Sequence, residues 1–204
     1  MGLREDFRNG FDSILSAMPD AAHIMRHGET EQGRVVQSSS RDFGEPLDTD
    51  APAESARFIA NAAQFPTLED GAAVELDGTF RVVVAMKQDP VGATFTIGLS
   101  SPFGKTPATY TGRRRENGKV RSLWFPVDAL HIENGVADNF ANASAPTYAT
   151  SYTIAIRRED WQDATDPEVA DQIEIAPNGY AIPLKVSAVT RHDGWYILKC
   201  RTKD

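Results

Sequence analysis

One pattern constrains this chain more than any other: a β-hairpin written twice. The first copy is Phe80-Arg-Val-Val-Val-Ala-Met-Lys87, a turn around Gln88-Asp-Pro-Val-Gly92, then Thr94-Phe-Thr-Ile-Gly-Leu99. The second is Tyr180-Ala-Ile-Pro-Leu-Lys-Val-Ser-Ala-Val189, a turn around Arg191-His-Asp-Gly194, then Trp195-Tyr-Ile-Leu-Lys-Cys200. A shift of 100 residues lays Phe80 on Tyr180, Val82 on Ile182, Val84 on Leu184, Phe95 on Trp195 and Ile97 on Ile197. The spacing of two within each strand puts these residues on one apolar face. Self-similarity at a fixed offset predicts a fold built from a repeated unit.

The match extends backwards. Val74-Glu-Leu76 corresponds to Ile173-Glu-Ile175, and Arg57 to Phe65 corresponds to Thr153 to Trp161. Gly33-Arg34-Val35 pairs with Gly118-Lys119-Val120 on three residues only. The expectation is a mainly β protein of two tandem small β-barrel or sandwich domains related by the repeat. The first spans residues 1–104, with an N-terminal helix, and the second residues 105–204. The linker Ser100-Ser-Pro-Phe-Gly-Lys-Thr-Pro107, with its prolines and glycine, marks the boundary.

A chain of 204 residues accommodates two domains of that size. A hydrophobic share of 41% and a charged share of 25% are ordinary for a globular protein. No apolar run approaches the roughly 20 residues of a membrane-spanning helix, so no membrane partner is expected. The N-terminus lacks the apolar core of a signal peptide, and Asp6 departs from the myristoylation pattern. A single cysteine, Cys200, excludes an internal disulfide and most cysteine metal sites. The net charge of −8 disfavours wrapping of nucleic acid by phosphate neutralisation.

Leu3, Phe7, Phe11, Ile14, Leu15 and Met18 recur at three- and four-residue spacing, which predicts an amphipathic helix over 3–19, ended by Pro19. Its apolar face needs a partner. Residues 36–56 read as a long polar loop. Ala56 to Phe65 reads as a strand because its repeat partner, Tyr152-Thr-Ile-Ala-Ile-Arg157, alternates. Asn117-Gly118 signals a tight hairpin turn. Asn134 to Pro146 reads as a loose exposed stretch, and no long helical pattern follows residue 66.

Several motifs suggest chemistry. Arg26-His27-Gly28-Glu29 resembles the Arg-His-Gly-Glu motif of the histidine phosphatase superfamily, in which the histidine accepts a phosphoryl group held by arginines. That family is α/β, and the helices it needs after residue 66 are missing here, so a surface turn is the competing account. His23 and His27, four apart, suit two ligands on one helix face, but no glutamate follows the first. Phe103-Gly-Lys-Thr106 lacks the first glycine of a phosphate-binding loop. Arg113, Arg114 and Arg115 form the densest positive cluster in an acidic chain. They read either as a solvated hairpin tip or as a contact to an acidic partner or to passing DNA. No catalytic, cofactor-binding or metal-binding residue is assigned.

The order of elements, with its helix Asp6 to Leu15, the strand ending near Phe65-Pro66, Gly78-Thr-Phe80, and the closing hairpin ending Asp193-Gly-Trp-Tyr-Ile-Leu198, resembles the lambda-like phage tail attachment, or head–tail joining, family. The resemblance covers nearly the whole chain and implies a non-enzymatic virion protein of the neck or tail, made in the host cytoplasm. It also implies partners: further copies of itself, other neck and tail proteins, and double-stranded DNA passing without sequence specificity. The duplication departs from that family's single small domain and predicts that three chains supply six barrels, a trimer or hexamer closing as a ring. The alternatives are the phosphatase-like enzyme using Arg26 and His27, and a generic duplicated β binding module.

Overall fold

The computed structural model describes residues 2–17, 21–38, 52, 54–138, 148–192 and 194–202. They form one helix and twelve strands in two compact units. The units divide between Pro102 and Phe103, inside the proline- and glycine-marked linker.

In the first unit, α1 (Leu3–Ala17) precedes β1 (Ala22–His27), β2 (Glu31–Ser38), β3 (Glu54–Asn61), β4 (Ala73–Leu76), β5 (Thr79–Gln88) and β6 (Thr94–Ser100). These strands close into an antiparallel barrel in the order β1-β2-β3-β6-β5-β4. The second unit contains β7 (Gly104–Glu116), β8 (Lys119–Asp138), β9 (Tyr148–Arg157), a 3-10 turn at Arg158–Asp160, β10 (Gln172–Ile175), β11 (Ile182–His192) and β12 (Trp195–Thr202). It closes in the order β7-β8-β9-β12-β11-β10, the same topology displaced by six strands. The domains are barrels, not sandwiches. Closure leaves no strand edge running the length of either sheet.

Alternation explains the barrels, since inward residues of each strand meet a private core. Met25, Val35, Phe58, Phe65, Ile97 and Leu99 fill barrel 1. Tyr110, Ile154, Ile156, Ile173, Leu184 and Leu198 fill barrel 2. Each such side chain contributes about 1.5–3 kcal/mol when fully buried.

The repeat holds, but its register differs from the uniform shift of 100. Both closing hairpins carry a bulge, between Val83 and Ala85 in one and between Val186 and Ala188 in the other. Val83 faces Leu99 as Val186 faces Cys200. The first strand is therefore offset by 103 and the second by 101. Leu99 matches buried Cys200, and Ile97 matches buried Leu198. An odd slip turns a strand over, and the consecutive valines 82–84 hid it. Tyr180, laid on the buried Phe80, is 80% exposed and precedes β11. Gly33 pairs with Met25 as Val127 pairs with Ala108, so Gly33 corresponds to Val127 and not to Gly118. The earlier matches stand: Val83 bonds the 71–72 turn in barrel 1 as Val186 bonds the 170–171 turn in barrel 2, which aligns Val74 with Ile173.

The helix is present, yet it packs only lightly. Leu15 is buried, Asn61 Nδ2 donates to Asp12 Oδ2 at 3.0 Å, and Arg4 Nε donates to Gly92 O at 2.9 Å. Phe7 and Ile14, on its apolar face, remain 57% and 58% exposed. Residues 21–38 form a hairpin, and β8 runs to Asp138, well into the stretch read as loose. Residues 139–147 and most of the predicted polar loop lie outside the described residues.

Candidate functional site

The two barrels differ most at their first hairpins. In barrel 1, β1 and β2 turn directly after the pair His27–Glu31. The corresponding pair in barrel 2 is Tyr110–Phe125, and there the ladder continues through Thr111–Trp124, Arg113–Ser122 and Arg115–Val120 to Glu116–Lys119. Asn117 (φ 50°) and Gly118 (φ 78°) form the two-residue turn, both in the left-handed region that a primed hairpin turn requires. The result is a two-stranded arm, residues 111–124, extending past the barrel.

A two-stranded ribbon is only marginally stable alone in water, and this one is braced from below. Arg114 turns inward and is buried, its side chain 4% exposed. It grips Asp171 with both terminal nitrogens, Nη1 to Oδ1 at 3.1 Å and Nη2 to Oδ2 at 2.8 Å. The same Nη2 donates to Asp166 O at 2.7 Å, and Nε lies 3.2 Å from Glu168 Oε1. Asp171 also accepts from the Tyr110 hydroxyl and from the Glu168 N–H, the latter at 2.8 Å. Burial alone would raise the Asp171 carboxyl, but the bonds from Arg114, Tyr110 and Glu168 outweigh it and hold the group below the usual carboxylate range. Burial, reinforced by Asp171, pushes the Tyr110 phenol up. Tyr110 thus stays neutral and the carboxylate charged.

Gly112 allows the chain to pass over this cluster, because a Cβ there would stand 2.8 Å from Asp171 Oδ1. Trp161 closes the barrel beneath, edge-on to Tyr110 at 4.6 Å, Phe125 at 4.9 Å and Tyr196 at 5.3 Å between ring centroids. Its Nε1 donates to Thr165 O at 2.8 Å. Arg121 pairs with Asp163, and Arg191 and the Tyr196 hydroxyl both reach Asp166. The loop after β9 therefore clamps the arm through Asp163, Asp166, Glu168 and Asp171.

The three arginines singled out from the sequence are split by this geometry. Arg114 is spent on the brace and is not available to a partner. Arg113 and Arg115 are exposed on the outward face, where they share a side with Val120 (67% exposed) and Trp124 (71% exposed). Beside Trp124, a shallow hollow of about 210 Å³ is lined by Thr109, Thr111, Gln172, Glu174 and Pro183. Sequence reading missed Trp124. Its alternation with Leu123 and Phe125 was visible, but which side faced water was not.

The phosphatase-like motif is not assembled. Arg26 and His27 are successive strand residues and point to opposite faces. His27 lies inside barrel 1, 2% exposed, with Nδ1 3.0 Å from Ala73 O, while Arg26 lies outside and donates to Gln32 Oε1 at 3.2 Å. His23 is on the same strand, not a helix, and bonds Asp77 Oδ2 at 2.6 Å. Among the described residues no group of histidine, cysteine and carboxylate side chains is placed to hold a metal.

No family model matches the chain, and no curated protein does. Among solved structures it is similar to MrkH, described as a c-di-GMP-dependent transcription regulatory factor. The similarity covers 96% of this chain and 83% of that one, at 10% identity and a TM-score of 0.20. A similarity that distant carries no argument about fold or function.

Proposed function

We propose that this chain is a structural subunit of a phage neck or tail, several copies of which form a ring around the DNA passage. The observation that carries the reading is the tandem of two closed barrels with one topology, of which only the second bears a braced arm. A duplicated unit lets three chains supply six similar barrels, and two unlike ends in one chain suit head-to-tail closure. The partly uncovered apolar face of α1, with Phe7 and Ile14 exposed, offers a second surface for a neighbouring component. The net charge of −8 fits a passage that DNA crosses without sticking.

Closure of both sheets changes how such a ring is held together. Neighbouring barrels have no long edges to pair, so the contacts fall to side-chain surfaces and to the arm. Light scattering of the purified chain tests the reading. A trimer or hexamer is the expected mass. A monomer at the highest attainable concentration, together with no assembly on isolated phage tails or neck complexes, overturns it.

A further inference from the structure

We propose that the outward face of the β7–β8 arm is the head-to-tail contact of the assembly, and that it docks on the acidic end of the first barrel of a second copy. This rests on the ring reading above and names the surfaces that would close it.

Charge is divided very unevenly along the chain. Residues 1–102 carry 8 Lys and Arg against 16 Asp and Glu, while residues 103–204 carry 13 of each. The whole net charge of −8 therefore sits in the first half. The arm is the opposite extreme. Within residues 111–124 the cations Arg113, Arg114, Arg115, Lys119 and Arg121 stand against the single carboxylate Glu116, a net +4. Arg114 and Arg121 are paired within the barrel. Arg113, Arg115 and Lys119 are exposed and take part in no ion pair among the described residues.

The apolar part of the same face selects the kind of partner. Residues directly opposite in an antiparallel pair project to the same side. Trp124 opposite Thr111, Ser122 opposite Arg113 and Val120 opposite Arg115 thus form one surface, with two large apolar groups framed by two guanidinium groups. Trp and Arg are the residues that most often dominate protein interfaces. A DNA backbone would engage the cations but leave Val120 and Trp124 in water. An acidic protein surface satisfies both halves of the face.

Barrel 1 presents such a surface at the end that corresponds to the root of the arm. There the β1–β2 turn carries Glu29. Glu31 accepts from Thr67 N at 3.0 Å and from its hydroxyl at 2.7 Å, which fastens the following loop, with Glu69 and Asp70, beside that turn. Glu29 and Asp70 are exposed. The duplicated unit thus has an acidic end without an arm in one copy and a basic arm in the other. Two unlike surfaces in one chain give a heterologous contact, the type that generates rings.

The test is sedimentation velocity on the full chain, at low and high salt, with two charge-reversed variants. Arg113→Glu/Arg115→Glu and Glu29→Lys/Asp70→Lys alter exposed side chains, and an unchanged circular dichroism melt confirms that each variant folds. Each is expected to weaken self-association by at least about tenfold, since like charges then face each other. The quadruple variant that carries both reversals in one chain is expected to recover assembly, because every reversed arm then meets a reversed barrel end in a ring of any order. Trp124→Ser is expected to weaken assembly with little change in its salt dependence. If the wild type forms rings but both variants do so equally well, or the quadruple variant fails to recover, the arm contact is wrong and the ring reading survives. If the reversed arm abolishes only retention of DNA, the contact is likewise wrong. If the wild type is a monomer at every concentration, both fall.

Discussion

Replacing Asp171 with Ala gives barrel 2 the residue that barrel 1 has at the equivalent place, Ala72. Val83 bonds the turn at Gly71 and Ala72 as Val186 bonds Ala170 and Asp171. The backbone already tolerates alanine there, so the effect isolates the side chain. Asp171 accepts two bonds from Arg114, one from Tyr110 and one from the Glu168 N–H. Its removal leaves a guanidinium only 4% exposed beside a phenol whose O–H has lost its acceptor. Breaking one partner out of a buried ion pair costs about 3–5 kcal/mol. Arg114 keeps Asp166 O at 2.7 Å and Glu168 at 3.2 Å, which argues for the low end, about 3 kcal/mol. For a domain of roughly 100 residues that is a fall of about 12–24 °C in melting temperature. Trp124, Trp161 and Trp195 all lie in the second barrel, so tryptophan fluorescence reports its unfolding alone. A fall of less than about 5 °C in that signal, well below the shift derived from the orphaned charge, refutes the reasoning. The double replacement Arg114→Met/Asp171→Leu removes both charges and is expected to melt closer to wild type than Asp171→Ala does. A double variant worse than the single would place the cost in geometry instead.

Further outcomes follow from the same geometry. Asp171 is held below the usual carboxylate range, and so is Asp163, first by its bond from the Thr165 hydroxyl and then by Arg121. A lowered carboxyl stabilises the fold above its unfolded value and loses that effect as pH falls through the folded one. The tryptophan-monitored melt should therefore hold steady down to about pH 5 and drop below about pH 4, with a shallower drop in Asp171→Asn. Gly112→Ala should destabilise barrel 2 by about 1–3 kcal/mol in urea titration, because the new methyl meets Asp171 Oδ1 at 2.8 Å. Cys200 is buried, and burial pushes its thiol up to about 12, so a thiol reagent at pH 8 should label it only as fast as barrel 2 opens. Ala170 holds φ 76° where the corresponding residue of barrel 1 is Gly71 at φ 83°. Ala170→Gly should thus raise stability by up to about 1 kcal/mol, and a loss in the same urea titration would contradict that.

Much of this fold was legible because strand patterns carry their own faces. Ile173-Glu-Ile175 and Thr153 to Ile156 alternate cleanly, and both were placed in the correct correspondence. The closing hairpins were recognised but aligned out of register. Val82, Val83 and Val84 carry no parity, and the bulge at each hairpin adds a residue that a fixed offset cannot show. The arm was half legible. Asn117-Gly118 fixed the turn, and Arg113 to Arg115 marked its tip. That Arg114 alone turns inward depended on Asp171, 57 residues away in sequence, and no local pattern predicts a partner so distant. Arg26 and His27 failed for the opposite reason. A short motif supplied the residue types for phosphate chemistry, while the strand period placed them on opposite sides of a wall.

The correspondence between the barrels shows that the brace is one unit and not a set of separate substitutions. The strand pairings align His27 with Tyr110 and Phe95 with Tyr196, the β3–β9 offset carried four residues past the strands places Phe65 on Trp161, and the Val83 and Val186 bonds align Ala72 with Asp171. At three of these four places barrel 1 has an apolar side chain and barrel 2 a polar or hydrogen-bonding one. At the fourth, His27 Nδ1 lies 3.0 Å from the carbonyl oxygen of Ala73. Any one of the barrel 2 residues placed alone in barrel 1 would bury a polar group without its bonds, at a cost of about 1–3 kcal/mol. Together they satisfy one another, and what they jointly support is the hairpin extension that barrel 1 lacks. Closure of a barrel does not require them, since barrel 1 closes in the same topology without them. The four residues that differ at this end therefore serve the arm, which barrel 1 lacks.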